Sequence, residues 1–354
     1  MCIHSHQPAF WSFEMKEKFP INALCTAIIL LFTIGAWAED SKSDSLGHIG
    51  FDPLPVHDVA FHSKALDREM HINVVLPRGY EDSGKRYPTL YLCHGYTSNY
   101  HEFVNIGVPE YLNRFEMIVV MVDVGNSSYV NWAKSDDGRP YNFADHVCKD
   151  VIGYVDSHYR TIAERKGRAI NGISMGGFGA ISLGLSHPDL FCSIASHSGS
   201  LGMGAGARER VGKEESNRGG ERRSRMMEDQ TRYLDIDIEG FSTFKERTPV
   251  GTQYLTVEDV DKVDPFTLVL QIPKDKLPHI YIDCGYDDFL VKQSQEFAKL
   301  MMDNKIPFQF GQSAGTHEED YWGREVSVSM AVQYSVMLRN IWGKEFERYD
   351  PYRR

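Results

Sequence analysis

Two kinds of apolar pattern occur along the chain. Residues 59–63 and 70–76 alternate apolar and polar side chains, which predicts half-exposed antiparallel strands. The later runs are continuously apolar, as is typical of parallel strands that are buried on both faces. These runs cover residues 87–93, 117–123, 168–171, 191–196, 279–284 and 307–310.

Segments with helical character separate the apolar runs. We predict helices over residues 142–159, 178–185, 289–303 and 321–342. Buried strands that alternate with helices predict an α/β fold, in which a central, mostly parallel sheet is covered by helices on both faces. A chain of 354 residues, 42% of them hydrophobic, is long enough to bury such a core.

The balance of charged residues is acidic. The formal net charge of −11 argues against a nucleic-acid partner, because phosphate binding requires a basic face. An acidic enzyme or binding protein is the default interpretation, and the charge alone does not identify a substrate.

The N-terminus carries a targeting pattern. From Met15 a short region with Lys16 and Lys18 is followed by an apolar run that ends at Ala36-Trp37-Ala38. This pattern predicts a secretory signal peptide cleaved after Ala38, with no stable membrane anchor afterwards and an exported, periplasmic or secreted protein. A transmembrane anchor is the alternative, but the apolar run is short for one. Residues 1–14 look like an upstream extension, which leaves Met15 as an alternative start.

The remaining chain divides into a linker, one large domain and a tail. We predict a linker over residues 39–56, one large α/β domain over 57–345 and a C-terminal tail over 346–354. Within the domain, residues 202–230 are rich in glycine and charge and contain no aromatic side chain. Such a segment buries too little apolar surface to offset its ordering entropy, so we predict a flexible insertion. It is either a surface loop without a role or a lid that gates substrate.

Four cysteines remain after the predicted cleavage: Cys93, Cys148, Cys192 and Cys284. Four cysteines in an exported chain could form two disulfides. However, Cys93, Cys192 and Cys284 lie in or at the end of apolar runs, which favours buried, unpaired thiols. The cysteine and histidine spacings do not resemble a structural zinc site, and we expect neither a metal nor a cofactor.

Residues 172–177 read Gly-Ile-Ser-Met-Gly-Gly, between a predicted strand and a predicted helix. A Gly-x-Ser-x-Gly turn in this position is the nucleophile elbow of an α/β-hydrolase, with Ser174 as the nucleophile. The glycines allow the strand and the helix to pass closely while the serine adopts a strained conformation. The alternative is a glycine-rich turn with an incidental serine.

A serine nucleophile needs an acid and a base, and in this fold they follow it in the order Ser, Asp/Glu, His. The loop after the 279–284 run contains Asp288, our candidate acid, with Asp287 as its competitor and Asp283 inside the strand. These aspartates could instead simply cap the next helix. The loop after the 307–310 run contains His317, the only histidine beyond His279, which we predict to be the base.

Acyl transfer also needs two backbone N–H donors that form an oxyanion hole. We predict Met175 N–H, directly after the nucleophile, and Tyr96 N–H, in the loop where Gly95 lets the chain turn closely. His94 is interpreted as a hydrogen-bonding residue behind the site. Trp132 either lines the acyl or alcohol pocket or packs beneath its own loop.

These residues belong to a set of motifs that resembles the esterase D-like family of α/β-hydrolases, over roughly residues 55–342. The motifs are Leu92–Tyr96, Asn131-Trp132, Gly172–Ala180, Asp264–Phe266, Cys284–Leu290 and Gly315–Glu318. The family includes tributyrin, feruloyl and acetylxylan esterases, S-formylglutathione hydrolases and antigen 85 mycolyltransferases. The insertion over residues 202–230 departs from the compact family pattern.

The resemblance implies a serine carboxylesterase in which Ser174, Asp288 and His317 are catalytic and the oxyanion donors lie at Met175 and near Tyr96. The expected substrate is a short-chain ester or a carbohydrate-linked acetyl or feruloyl ester. Acyl transfer to a sugar or glycerol and S-formylglutathione hydrolysis are alternatives within the enzyme class. A catalytically silent binding protein is the alternative outside it.

Overall fold

The computed structural model describes residues 52–211 and 247–345 of the chain. The predicted signal peptide, the C-terminal tail, most of the linker and most of the insertion lie outside these residues. Within the described ranges no helix is both long and apolar enough to cross a membrane.

Every apolar run contains strand residues, but the run over 307–310 shares only residues 309–310 with its strand, and two short strands at 134–135 and 251–252 were not predicted. In chain order the strands are β1 Val56–Ser63, β2 Arg68–Val75, β3 Thr89–Cys93, β4 Ile118–Val122, β5 Lys134–Ser135, β6 Arg168–Ile173, β7 Ser193–His197, β8 Gly251–Thr252, β9 His279–Gly285 and β10 Gln309–Ser313.

Eight of these strands form one sheet in the order β1-β2-β4-β3-β6-β7-β9-β10. Strand β2 runs antiparallel to both β1 and β4, and the remaining neighbours pair in parallel. The short strands β5 and β8 pair separately. The predicted antiparallel strands at the start and the mostly parallel sheet are therefore confirmed.

The helices complete the layers. They are α1 Glu102–Asn105, α2 Val108–Tyr111, α3 Phe143–Asp145, α4 Ile152–His158, α5 Met175–Ser186, α6 Met203–Arg210, α7 Val257–Asp261, α8 Pro265–Gln271, α9 Val291–Asp303 and α10 Glu319–Trp342. A π-helical stretch, His146–Val151, joins α3 to α4, so the helix predicted over residues 142–159 is present as three consecutive pieces.

The central strands β3, β4, β6 and β7 are buried on both faces, as the continuous apolar runs predicted, whereas β10 at the edge of the sheet has no buried residue. In β3, Tyr91 and Cys93 point into one hydrophobic cluster, while Leu90 and Leu92 point into another. This alternation follows from the two-residue period of a strand. The first cluster includes side chains of α4, α5 and α9, and the second includes side chains of α1 and α10.

The start of the predicted flexible insertion is a helix, which corrects that part of the prediction. Helix α6 covers Met203–Arg210, and the Arg208 guanidinium bonds Asp261 at 2.6 Å and the buried Asp264 at 2.9 Å. Ion pairing with the distant α7–α8 region stabilises a segment whose own side chains offer little apolar surface. The rest of the insertion, from residue 212, lies outside the described residues.

All four cysteines of the described residues are free and buried. The predicted unpaired thiols are therefore what the structure contains, and Cys148, which lies in the π-helical stretch, behaves like the strand cysteines.

Candidate active site

The strand β6 passes into helix α5 through Ser174, whose φ of 54° and ψ of −112° are unusual for a residue with a side chain. The flanking glycines are required by contact. A Cβ on Gly172 would lie 2.1 Å from the Gly176 carbonyl oxygen, and one on Gly176 would lie 1.9 Å from the Cys93 carbonyl oxygen. The turn therefore has the geometry of a nucleophile elbow, with the serine side chain at its apex.

The three predicted catalytic side chains meet at the carboxyl ends of the parallel strands. Ser174 Oγ lies 2.9 Å from His317 Nε2, and His317 Nδ1 lies 2.9 Å from Asp288 Oδ2. With its Nδ1–H donated to Asp288, the imidazole presents Nε2 as an acceptor for the serine hydroxyl. Asp288 follows β9 and His317 lies between β10 and α10, in the chain order that the sequence predicted.

The Asp288 carboxyl is held in its ionised form. Burial by itself would raise its pKa, but hydrogen bonds from His317, Ser198 and the Leu290 N–H hold the pKa below its usual range. The Leu290 N–H donates to Asp288 Oδ1 at 2.7 Å, so both carboxyl oxygens have partners. A charged carboxylate in this position can orient the imidazole and stabilise an imidazolium.

The two competing aspartates have other positions. Asp287 is exposed, and its N–H bonds the Gly315 carbonyl oxygen. Asp283 lies inside β9, buried against His197. The structure thus brings Asp288, and neither neighbour, to the imidazole.

The predicted oxyanion donors lie on segments that border Ser174. Met175 is the first residue of α5, where N–H groups have no acceptor within the helix and the helix dipole favours negative charge. A Cβ on Gly95 would lie 3.6 Å from Ser174 Cβ, which places the Gly95-Tyr96 turn directly beside the nucleophile.

Trp132 packs against its own loop. Its indole N–H donates to the Ser127 carbonyl oxygen at 3.1 Å, and its ring meets Tyr141 edge-on at a centroid distance of 5.9 Å. These contacts fit the packing interpretation, and a role in lining the substrate pocket stays a prediction.

At the mouth of the site, on the side of His317, the surface is shallow, acidic and partly aromatic. A hollow of about 410 Å³ is lined by His317, Glu318, Glu319, Asp320 and Trp322. The ring of Phe289, 73% exposed, lies 4.5 Å from the His317 ring. An aromatic ring and three acidic residues therefore lie close to the imidazole.

A buried polar network beneath the elbow was not foreseen. The His197 carbonyl oxygen accepts the Ser174 N–H at 2.9 Å, while the His197 imidazole bonds Asp283 at 2.8 Å and Ser329 Oγ at 2.8 Å. The network joins the nucleophile turn to β9 and to α10, but its depth keeps it from substrate. Polar residues within otherwise apolar runs, such as Asp283, were the signal for it.

Within residues 52–211 and 247–345, no three His, Cys, Asp or Glu side chains are grouped so that they could hold a metal ion. The arrangement of Ser174, His317 and Asp288 fits the chemistry of a serine nucleophile with a base and an acid, and the two backbone donors stay a prediction.

Comparison with known proteins agrees with this geometry. The family model described as "Putative esterase" matches residues 63–331. An esterase of Mycobacterium tuberculosis is 33% identical over 141 residues, which are 39% of this chain and 31% of that protein. The chain thus matches about a third of the length of this curated relative.

Two further proteins match over most of the fold. An acetyl esterase of Caldicellulosiruptor saccharolyticus is 24% identical over 77% of this chain and 96% of its own length. The solved structure of a ferulic acid esterase superposes with a TM-score of 0.60 at 23% identity, covering 80% of this chain and 99% of that one. With the family model matched across the sheet and the elbow, the chain belongs to the "Putative esterase" family of α/β-hydrolases.

Proposed function

We propose that this protein is an exported serine carboxylesterase that hydrolyses short-chain or carbohydrate-linked esters through an acyl-enzyme on Ser174. The observation that carries the proposal is the continuous chain of hydrogen bonds from Ser174 through His317 to the ionised Asp288. Membership of an esterase family supports the same reaction class.

The proposed reaction has two halves. His317 Nε2 takes the hydroxyl proton as Ser174 Oγ attacks the ester carbonyl, and the N–H groups of Met175 and Tyr96 stabilise the oxyanion. The imidazolium then gives its proton to the leaving alkoxide, which departs and leaves an acyl-serine. Water attacks this ester with His317 again as the base, which releases the acid and restores the hydroxyl.

The substrate class is supported by the relatives and by the mouth of the site. The named activities of the relatives, acetyl esterase and ferulic acid esterase, support an ester substrate of this class. The carboxylates of Glu318, Glu319 and Asp320 beside His317 oppose a negatively charged leaving group. This disfavours S-formylglutathione, whose leaving group carries carboxylates of its own.

Export is proposed from the leader alone. The basic start, the apolar run and the Ala36-Trp37-Ala38 end support cleavage after Ala38. N-terminal sequencing of protein recovered outside the cytoplasm tests this part, and a chain that begins at Glu39 is the expected result. Retention of residues 15–38 in a membrane fraction would contradict it.

Hydrolysis of p-nitrophenyl acetate, butyrate and octanoate by the purified protein tests the esterase proposal. Ser174→Ala should reduce kcat by several orders of magnitude, whereas Ser182→Ala, a serine of the same helix α5, should leave it unchanged. Undiminished turnover by Ser174→Ala would end the proposal. Parallel assays on acetylated and feruloylated oligosaccharides, with glycerol as a competing acceptor, separate hydrolysis from acyl transfer.

A further inference from the structure

The turn that carries the Tyr96 oxyanion donor is conformationally strained. Residues 95–98 form a β-turn in which the Ser98 N–H bonds the Gly95 carbonyl oxygen at 3.3 Å. Thr97, at the third position, has a φ of 69°, a value that turns usually assign to glycine or asparagine. Such a conformation in a β-branched residue persists only where the surroundings enforce it.

One restraint comes from Glu102. This side chain is buried at the start of α1, and its Oε2 accepts the Gly95 N–H at 2.7 Å. Its Oε1 lies 3.3 Å from the point where a Cβ on Gly95 would stand, a point that is 3.6 Å from Ser174 Cβ. Gly95 is therefore clamped between the Glu102 carboxylate and the nucleophile.

A second restraint comes from Arg247 at the other end of the turn. Its guanidinium donates to the Ser98 carbonyl oxygen at 2.7 Å and to Asp123 Oδ1 at 2.9 Å. Asp123 also lies 3.3 Å from His94 Nε2, and His94 Nδ1 lies 2.7 Å from the Gly95 carbonyl oxygen. The ion pair thus reaches both ends of the turn.

The surroundings of Asp123 favour its ionised form, which preserves the Arg247–Asp123 ion pair. Burial alone would raise the pKa of Asp123, but His94, Arg247 and the Gly125 N–H lower it below its usual range. Asn126 completes the frame, because its Oδ1 accepts the Thr97 N–H at 2.8 Å and its own N–H bonds the Arg247 carbonyl oxygen.

We propose that Glu102 and Arg247 are positioning residues that aim the Tyr96 N–H at the oxyanion by holding the two ends of the Gly95–Ser98 turn. The inference rests on the proposed esterase function. Neither side chain touches the reacting atoms, so both act on the transition state through the backbone of the turn. Their removal weakens a hydrogen bond that matters chiefly in the transition state, which lowers kcat rather than raising KM.

The test compares Glu102→Met and Arg247→Met with the wild type, with active sites titrated by a fluorophosphonate so that rates refer to competent enzyme. Misdirecting an oxyanion donor by about 1 Å should cost about 10- to 100-fold in kcat, with KM changed less than about threefold. The inhibition constant of a trifluoromethyl ketone, which forms a tetrahedral adduct on Ser174, should rise by the same factor as kcat falls.

Conservative and control variants sharpen the result. Glu102→Gln retains an oxygen for the Gly95 N–H and should recover most of the activity lost in Glu102→Met. Both bonds of Arg247 come from Nη2, and the shorter side chain of Arg247→Lys places its ammonium differently, so this variant should show an intermediate loss. The control is Arg165→Met. Arg165 lies just before β6, at the opposite end of the strands, and its guanidinium donates to the carbonyl oxygens of Pro188 and Lys276. It should alter thermal stability at most and leave kcat unchanged.

Each outcome separates the possibilities. Lower stability with unchanged kcat per titrated site in both methionine variants would overturn the inference, because the side chains would then be structural only. A kcat loss without a parallel loss of trifluoromethyl ketone affinity would also overturn it. Failure of the proposed function is distinguishable, since the wild type itself would then lack turnover or Ser174→Ala would retain it.

Discussion

The contact between the nucleophile turn and β3 makes Gly176→Ala a demanding test of the elbow geometry. The added Cβ would lie 1.9 Å from the Cys93 carbonyl oxygen and 2.6 Å from the His94 carbonyl oxygen. Real Cβ atoms essentially never approach closer than 3.0 Å, so the start of α5 must move away from β3 by about 1.1 Å or more. Both contacts are backbone oxygens at the end of the central strand β3 and directly after it, and they cannot rotate out of the way as a side chain could.

This displacement separates the proposed oxyanion donor on α5, Met175, from the proposed donor after β3, Tyr96. A misplacement of about 1 Å costs about 100-fold in rate, which is about 2.7 kcal/mol of transition-state stabilisation. Overpacking adds a loss of about 1–3 kcal/mol in the free energy of unfolding. We therefore expect kcat/KM for p-nitrophenyl acetate to fall at least about 100-fold and the melting temperature to drop.

The matched control is Gly153→Ala. Gly153 lies in helix α4 with no atom within 4 Å of its Cβ position, so alanine should raise the free energy of unfolding by about 0.5–1 kcal/mol and leave kcat/KM unchanged. Steady-state kinetics and thermal melts of both variants provide the measurement. A Gly176→Ala enzyme with kcat/KM within twofold of wild type would refute the reasoning, because the close approach would then be irrelevant to the site.

Three further predictions follow from the site and the core. Asp288→Asn should reduce kcat by about 10³- to 10⁴-fold with little change in melting temperature, because it disturbs the tautomer of His317. Steady-state kinetics after active-site titration measure this effect, and a loss of kcat under tenfold would contradict the prediction. Burial lowers the pKa of His146 to about 4 from 6.5, so the folded state binds fewer protons than the unfolded state between these values, and stability present above pH 6.5 should fall as the pH drops towards 4. Urea unfolding across this range should lose about 3 kcal/mol more in wild type than in His146→Gln, and parallel curves would refute the assignment. Burial raises the pKa of Cys148 to about 12, of Cys192 to about 11 and of Cys284 to about 12. A thiol reagent at neutral pH should therefore label these cysteines only after the protein unfolds, and rapid labelling of native protein would contradict their burial.

The sequence was most informative where one physical rule links pattern and position. Parallel strands must bring their carboxyl ends to one edge of the sheet, so residues after separate apolar runs could be expected to meet. Ser174, Asp288 and His317 do meet there, although 143 positions separate the serine from the histidine. The fold class, and the chain order in which the candidate nucleophile, acid and base follow successive strands, were predictable for the same reason.

Where several residues of one short loop have the same chemistry, the sequence does not show which of them reaches the site. Asp287 and Asp288 are adjacent carboxylates before a helix, and only the path of the loop decides which one is buried against the imidazole. Trp132 is similar, since an aromatic residue in a loop has the same sequence signature whether it binds substrate or packs against Tyr141.

Charged residues with distant partners were the least predictable. The composition of its segment predicted that Arg208 is a solvated charge in a flexible loop. In the structure, Arg208 donates to Asp261 and Asp264 and stabilises helix α6. Arg247 and Glu102 restrain the oxyanion turn from positions that are far apart in sequence. The sequence around these residues does not identify their hydrogen-bonding partners, because the partners come close only when the chain folds.

Mass spectrometry during turnover tests the central claim, the covalent role of Ser174, most directly. Wild-type protein quenched in acid while it hydrolyses p-nitrophenyl butyrate should carry one added butyryl group, and peptide mapping should place that group on Ser174. The Ser174→Ala variant should carry none under the same conditions. A butyryl group on another residue, or full turnover by the alanine variant without any acylated protein, would contradict the proposed mechanism.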